Sequence, residues 1–226
     1  MTDKLHEGHR NRVKGRFLSE GLDGFCDYQA LELLLFYAIP MRDTNELAHK
    51  LINEFGSLHG LLEADPEDIC KRSGVSENAA VLITMIPQIS RMYLNEKWGE
   101  KPLINSSTKS GEYAVSLFIG RTYEAFYVLC LDAQNRVNFS DLVHEGTINE
   151  APVYPRLIVE TALRHQANAV VLAHNHPGGS LKPSSADIEV TKKISNALGA
   201  ISIKVIDHII VAGDKYYSFA EKGLIP

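Results

Sequence analysis

The spacing of apolar and polar positions changes near the middle of the chain. From residue 8 to residue 97 the apolar residues recur every three to four positions, the spacing of helices. "DYQALELLLFYAI" is a strongly apolar run with Asp27 as its expected N-cap and Pro40 as its stop. "TNELAHKLINEFGSLHGLLEA" places Leu47, Leu51, Ile52 and Phe55 at helical spacing, with Gly56 as a C-terminal stop. In "DPEDICKRSGVSENAAVLITMIPQISRMYL", Asp65 caps a helix that opens on Pro66. Ser73 to Ser76 make a tight turn, and an Ala-rich helix follows that Pro87 is expected to kink or interrupt. "WGEKPLINSS", residues 98–107, breaks the pattern and reads as a linker.

Beyond the linker the period alternates between helix and strand. "TKSGEYAVSLFIG" predicts a helix. "AFYVLCLD" and "NRVNFSDLVHE" predict two strands joined in a hairpin at Asp132–Asn135. "RLIVETALRHQ" reads as a helix after Pro155, "NAVVLAHN" as a short buried strand and "SSADIEVTKKISNALG" as a helix with a Gly stop. "AISIKVIDHIIVAG" is strand-rich, and "KYYSFA" adds a short strand. Helices and strands mixed with a hairpin predict an α+β class. The expected organisation is a helical domain over 1–97, a linker over 98–107 and a mixed α/β domain over 108–226.

Composition narrows the function classes. The 226 residues are 45% hydrophobic, enough for one large or two small cores. The three cysteines, Cys26, Cys70 and Cys130, are far apart and odd in number, which implies neither a disulfide framework nor a Cys-rich zinc module. No run of ~18 apolar residues exists, so no signal peptide or membrane span is expected, and the expected location is cytoplasmic. The net charge of −5 argues against a generic nucleic-acid sponge. Only the first 16 residues are locally basic, and they read as a solvated tail.

The candidate chemistry lies in "AHNHPGGSLKPSSAD", residues 173–187. His174 ends a strand, and alternate residues of an extended chain face one side, so His174 and His176 can aim at one point. Ser184 and Asp187 stand three apart at a helix N-terminus, on one face, where an ionised carboxylate is favoured. Two imidazoles and a carboxylate are a ligand set for zinc that leaves one position open for water, as catalytic sites do. The same letters also fit a polar loop followed by a capping box with Asp in place of Glu. Nucleobase-deaminase chemistry is excluded, because that site needs His-x-Glu and a later Pro-Cys-x-x-Cys; His-Glu-x-x-His is absent too.

The joint spacing resembles the metal motif of the JAMM (MPN-type) metallohydrolases: His174, His176, Ser184 and Asp187, with Pro177 after the second His. "HEGTINEAPVYPRLIVETAL", "LAHNHPGGSLKPSSAD", "VIDHIIVAG" and the N-terminal "GHRNRVKGRFLSEGLDGF" narrow the resemblance to the RadC family of bacterial proteins, over nearly the whole chain. Asn175 departs from the broader pattern, in which many members carry Ser or Thr. The resemblance implies a JAMM/MPN-like mixed sheet with flanking helices, a cytidine-deaminase-like architecture, after a helix-hairpin-helix-like domain. It implies a Zn2+-dependent hydrolase acting on a peptide or isopeptide bond of a protein or peptide substrate. His174, His176 and Asp187 would hold the metal, Glu124 would be the general base, and Ser184 would steady the oxyanion. Glu145 and Glu160 are competitors for the base. Asp207-His208 is expected to be structural before it is a support for the site. The resemblance also carries an association with DNA repair. The turn at Gly74 and Ser76 is a candidate phosphate-binding turn for weak, non-specific DNA contact, although Ser76 stands where a second Gly is usual. The rival reading is a non-enzymatic DNA-associated or protein-interaction factor braced by its metal.

Overall fold

In the computed structural model, residues 3–40, 42–146 and 154–226 are described. The chain forms two compact units, Met1–Ile89 and Ser90–Pro226. The first unit is helical: α1 (Asp3–Glu20), α2 (Asp27–Ala38), α3 (Asn45–Phe55), α4 (Leu58–Leu62), α5 (Pro66–Ser73) and the start of α6 (Glu77–Trp98). Its core gathers Leu31, Leu35, Leu51, Leu61, Ile69 and Ile83, each at most 1% exposed. Helix α2 begins at Asp27 itself, so the cap is not Asp27 but Cys26, whose N–H donates to Gln29 Oε1 at 3.3 Å.

Two expectations for this half are corrected. The basic N-terminal stretch is helix, not a solvated tail. Arg10 donates to the backbone oxygens of Phe36 (3.3 Å), Ile39 (2.7 Å) and Arg42 (2.6 Å), so its guanidinium satisfies carbonyls at and beyond the end of α2 that have no helical partner. Helix α6 also runs through Pro87 without interruption. Pro87 is buried, and packing of that face offsets the backbone hydrogen bond that proline cannot donate.

The second unit is a five-stranded sheet between helices. After α7 (Ser107–Phe118) come β1 (Ala125–Leu131), β2 (Val137–Glu145), α8 (Pro155–Arg164), β3 (Ala169–Asn175), α9 (Ser185–Gly199), β4 (Lys204–Ala212) and β5 (Lys215–Ser218). The strand order is β2-β1-β3-β4-β5, with β3 and β4 parallel and the other neighbours antiparallel. The hairpin lies where the turn residues put it: Asp132 Oδ1 accepts from Gln134 N–H (2.8 Å) and Arg136 N–H (2.9 Å). The expected linker is partly structured. Leu103 bridges Arg136, Ile104 N–H donates to Asn135 O (2.8 Å), and Ile104 is 1% exposed. Residues 147–153, inside one of the family-like stretches, lie outside the described residues. Among the described residues, no helix is long and apolar enough to cross a membrane.

Both faces of the sheet are buried, which is why β1 and β3 read as unbroken apolar runs. One face, with Leu129, Val171, Ala173 and Ile209, packs on α7; the other, with Phe126, Val128, Val170 and Leu172, packs on α8 and α9. Each fully buried Val or Leu contributes roughly 1.5–3 kcal/mol, so the centre of the sheet is a rigid base for whatever its strand ends carry. Between Val170 and Val171 the β3–β4 register shifts by one: Val170 faces Val205, and Val171 faces Asp207. Ile206 is therefore the extra residue of a bulge. A one-residue slip exchanges the faces of every later side chain, so the bulge turns Asp207 toward α7 and His208 toward α9.

Gly111 on α7 is needed for close approach. A Cβ there would lie 2.4 Å from the Tyr216 ring of β5. Gly→Ala inside a helix ordinarily gains up to about 1 kcal/mol, whereas overpacking costs about 1–3 kcal/mol. Gly111→Ala is expected to lower the thermal midpoint by roughly 2–8 °C. A raised midpoint in calorimetry would show that Tyr216 swings aside freely.

Candidate metal centre

The site is assembled where β3 ends and α9 begins. Strand β3 is buried along its length. Its geometry places His174 and His176 on one face, and His176 N–H donates to Val211 O at 2.8 Å, which carries the β4 pairing one residue past the strand. Helix α9 starts in a reciprocal cap: Ser184 Oγ accepts from Asp187 N–H (3.1 Å), while Asp187 Oδ2 accepts from Ser184 N–H (2.7 Å) and from Ser184 Oγ–H (2.7 Å). The capping box and the ligand set are thus one device, since the cap aims Asp187 at the histidines.

Three ligand atoms converge. His174 Nε2 and His176 Nε2 are 3.0 Å apart, Asp187 Oδ1 lies 3.2 Å from His174 Nε2, and Asp187 Oδ2 lies 3.6 Å from His176 Nε2. Donors about 2.0–2.2 Å from a tetrahedral ion stand roughly 3.3–3.5 Å from one another, so the spacing suits a single small cation. Among the described residues no fourth His, Cys, Asp or Glu joins the group. His176 Nδ1 donates to Ser180 O at 2.7 Å; a carbonyl can only accept, so His176 Nε2 is left with its lone pair toward the centre.

The electrostatics point the same way. Burial of Asp187 would raise its carboxyl, but the adjoining His174 and His176 imidazoles and the Ser184 N–H hold it far below the usual carboxylate range. Burial pushes the His174 imidazole down, against the pull of Asp187. The adjoining Asp187 carboxylate lifts His176, against partial burial. An ionised carboxylate beside a neutral buried imidazole is the protonation that metal binding requires.

Glu124 immediately precedes β1 and is half-buried. Phe126 pairs with His174 and stacks on its ring at 5.8 Å, so Glu124, two residues upstream, continues the same face. Its negative charge acts on both His174 and His176. Asn175 brackets it: Ala125 N–H donates to Asn175 Oδ1 (2.7 Å), Asn175 Nδ2 donates to Tyr123 O (3.0 Å), and Gly146 N–H donates to Glu124 O (2.8 Å). The competing glutamates are drawn elsewhere. Glu145 pairs with Ala125 and so lies on the opposite face, bonded to Tyr123 (3.0 Å), with Arg121 at 3.5 Å. Glu160 is exposed and paired with Arg156 at 2.7 Å.

His208 departs from expectation. It is fully buried, and its Nε2 lies 2.8 Å from His174 Nδ1, so it touches the site. Asp207, on the other face, is structural: it accepts from Ser218 Oγ–H (2.7 Å) and from the N–H groups of His208 (2.7 Å) and Ala220 (3.0 Å). Sequence reasoning missed Thr191. Its signal was available, four residues after Asp187 on the same helix face. Cys130 is no nucleophile, because burial, with Asp141 nearby, pushes its thiol up to about 11. In the helical unit, Gly74 is left-handed (φ 72°), and its N–H is taken by Cys70 O at 2.9 Å. Ser76 Oγ accepts from Ala79 N–H at 3.4 Å, and the helix that follows opens with Glu77, a charge unfavourable to phosphate.

Comparison with known proteins agrees with this geometry. Residues 104–224 match the RadC-like JAB domain. A UPF0758 protein of Pseudoalteromonas translucida is 37% identical over 214 residues, covering 95% of this chain and 96% of the relative. One from Fusobacterium nucleatum is 34% identical over 232 residues, covering 100% of both. Another from Variovorax paradoxus is 39% identical over 217 residues, covering 95% and 96%.

Proposed function

The chain belongs to the RadC-like JAB-domain family, and from that premise we propose that its second unit is a zinc-dependent hydrolase of amide bonds, acting on a peptide or isopeptide. The observation that carries the reading is the convergence of two imidazoles and one ionised carboxylate, with no fourth protein ligand among the described residues and with the charge of Glu124 bearing on both histidines. Two nitrogens and one carboxylate suit zinc, and three protein ligands leave a place for water. His174, His176 and Asp187 would hold the zinc, which would supply Lewis acidity and make an attacking water easier to deprotonate. Glu124 takes a proton from the attacking water and delivers it to the departing amine nitrogen. The rigid strand end and the Asn175 bracket hold that carboxylate in position. Ser184 orients Asp187 through the cap and offers its hydroxyl to the developing oxyanion.

Metal analysis of the purified protein with an unbiased peptide-library cleavage assay, run with and without chelator, tests the reading. Stoichiometric zinc and chelator-sensitive cleavage are expected. Zinc with no cleavage of any library member would leave the metal as a brace for a binding protein.

A further inference from the structure

His174 presents a problem of proton placement. Its Nε2 must carry a lone pair if a metal is to bind, so its Nδ1 must carry the proton and needs an acceptor. Unlike His176, it faces no carbonyl. The atom opposite Nδ1 is His208 Nε2 at 2.8 Å, and an imidazole nitrogen can donate or accept. What His208 does is decided on its far side. His208 Nδ1 lies 2.6 Å from Thr191 Oγ1, and Thr191 Oγ1 lies 2.5 Å from Asp187 O. A carbonyl oxygen only accepts, and the shorter of the two contacts places the single hydroxyl proton of Thr191 on the bond to Asp187 O. Thr191 Oγ1 must then accept from His208 Nδ1–H. That leaves His208 Nε2 as an acceptor for His174 Nδ1–H, and His174 Nε2 bare.

The geometry points to Thr191 and His208 as positioning residues: a buried chain, Asp187 O to Thr191 to His208 to His174, that fixes the metal-binding tautomer of His174. The inference rests on the proposed metal site for its purpose, but not for its geometry. His208, Thr191, His174 and Asp187 are all at most 2% exposed, so no bulk water can substitute for a missing partner. Phe126 and Phe219 flank the His208 ring at 5.5 and 4.7 Å and hold its plane. The reversed polarity is possible in principle: Thr191 donates to His208, His208 to His174, and a proton then sits on His174 Nε2 where the metal belongs. It forfeits the bond to Asp187 O, and this bond is what biases the chain. The chain begins and ends on the same helix turn and metal centre, because Asp187 supplies the carbonyl at one end and a ligand at the other.

The test compares full-length wild type, Thr191→Val and Thr191→Ser. Valine keeps the shape but removes the hydroxyl; serine restores it. In ring-15N-labelled, zinc-loaded wild type, long-range 1H–15N spectra should show both His174 and His208 as Nδ1–H tautomers. In Thr191→Val the His208 proton, having lost its acceptor, should move to Nε2. Zinc affinity, measured by chelator competition, should fall about 10–100-fold, the usual effect of losing an outer partner of a metal-binding histidine. Thr191→Ser should restore both readouts. An Nε2–H tautomer at His174 or His208 in wild type would overturn the inference. So would a folded Thr191→Val protein that binds zinc as tightly as wild type. A wild-type protein that binds no zinc but keeps His208 as the Nδ1–H tautomer would overturn the metal reading and leave the bond from His208 to Thr191 standing.

Discussion

His174→Ala, His176→Ala and Asp187→Ala are each expected to lose stoichiometric zinc, and chelator-sensitive activity with it. Zinc binding in four-ligand structural sites is worth about 10–16 kcal/mol. One ligand's share is about 3–4 kcal/mol, or about 10²–10³ in affinity. With only three such ligands among the described residues, no spare donor stands by to absorb the loss. The three variants should differ in their other effects. His176 is partly exposed, so His176→Ala should cost the fold least. Asp187→Ala also removes the acceptor for Ser184 N–H and Oγ–H, a cap loss of about 1 kcal/mol. Asp187→Asn keeps the shape of the cap but not the charge, and should still lose zinc. A protonated imidazole cannot ligate, so affinity should fall as the pH drops through the His176 titration, which Asp187 moves upward. Full zinc content in all three alanine variants, measured by atomic emission after dialysis, would sink the ligand assignment.

What could be read from the sequence follows from what a local pattern can encode. The His-x-His spacing at a strand end and the Ser-x-x-Asp at a helix start are short-range geometry, and they placed His174, His176 and Asp187 on converging atoms. The hairpin turn was legible because Asp132 caps its own neighbours. His208 was not legible as part of the site. Alternation along "KVIDHIIVA" cannot say which side of the sheet His208 faces, because the bulge at Ile206 reverses the answer. The part Arg10 plays was hidden for a similar reason: its acceptors are more than 25 residues away, and a basic helix reads as solvated until a helix end is found beneath it. Pro87 misled in the other direction, since burial of the helix face outweighed a propensity. Asn175 read as a departure from a pattern; its purpose needed the end of β1 beside it.

Glu124→Gln is expected to keep zinc and fold but to lose about 10²–10⁴-fold in turnover, the range that a positioned general base supplies. Positioning and chemistry are carried by different groups at this site. Glutamine has the size of glutamate, and the Asn175 bracket holds only backbone groups of residues 123 and 125, so the loop should not move. Glu124 is not among the three ligand residues, so the metal content should not change. What is lost is an oxygen that can accept a proton from water and return it to the leaving nitrogen; an amide can do neither at neutral pH. Asn175→Ala should give a weaker version of the same phenotype, because it leaves the carboxylate intact but frees the backbone on both sides of it. Zinc content should again be unchanged, with kcat reduced and substrate binding little altered. Asn175→Ala with normal kcat would show that Gly146 and the sheet hold Glu124 unaided. Glu124→Gln with wild-type turnover would remove the base from Glu124. Since Glu145 lies on the far face and Glu160 is paired in solvent, it would also remove the main support for a hydrolytic site.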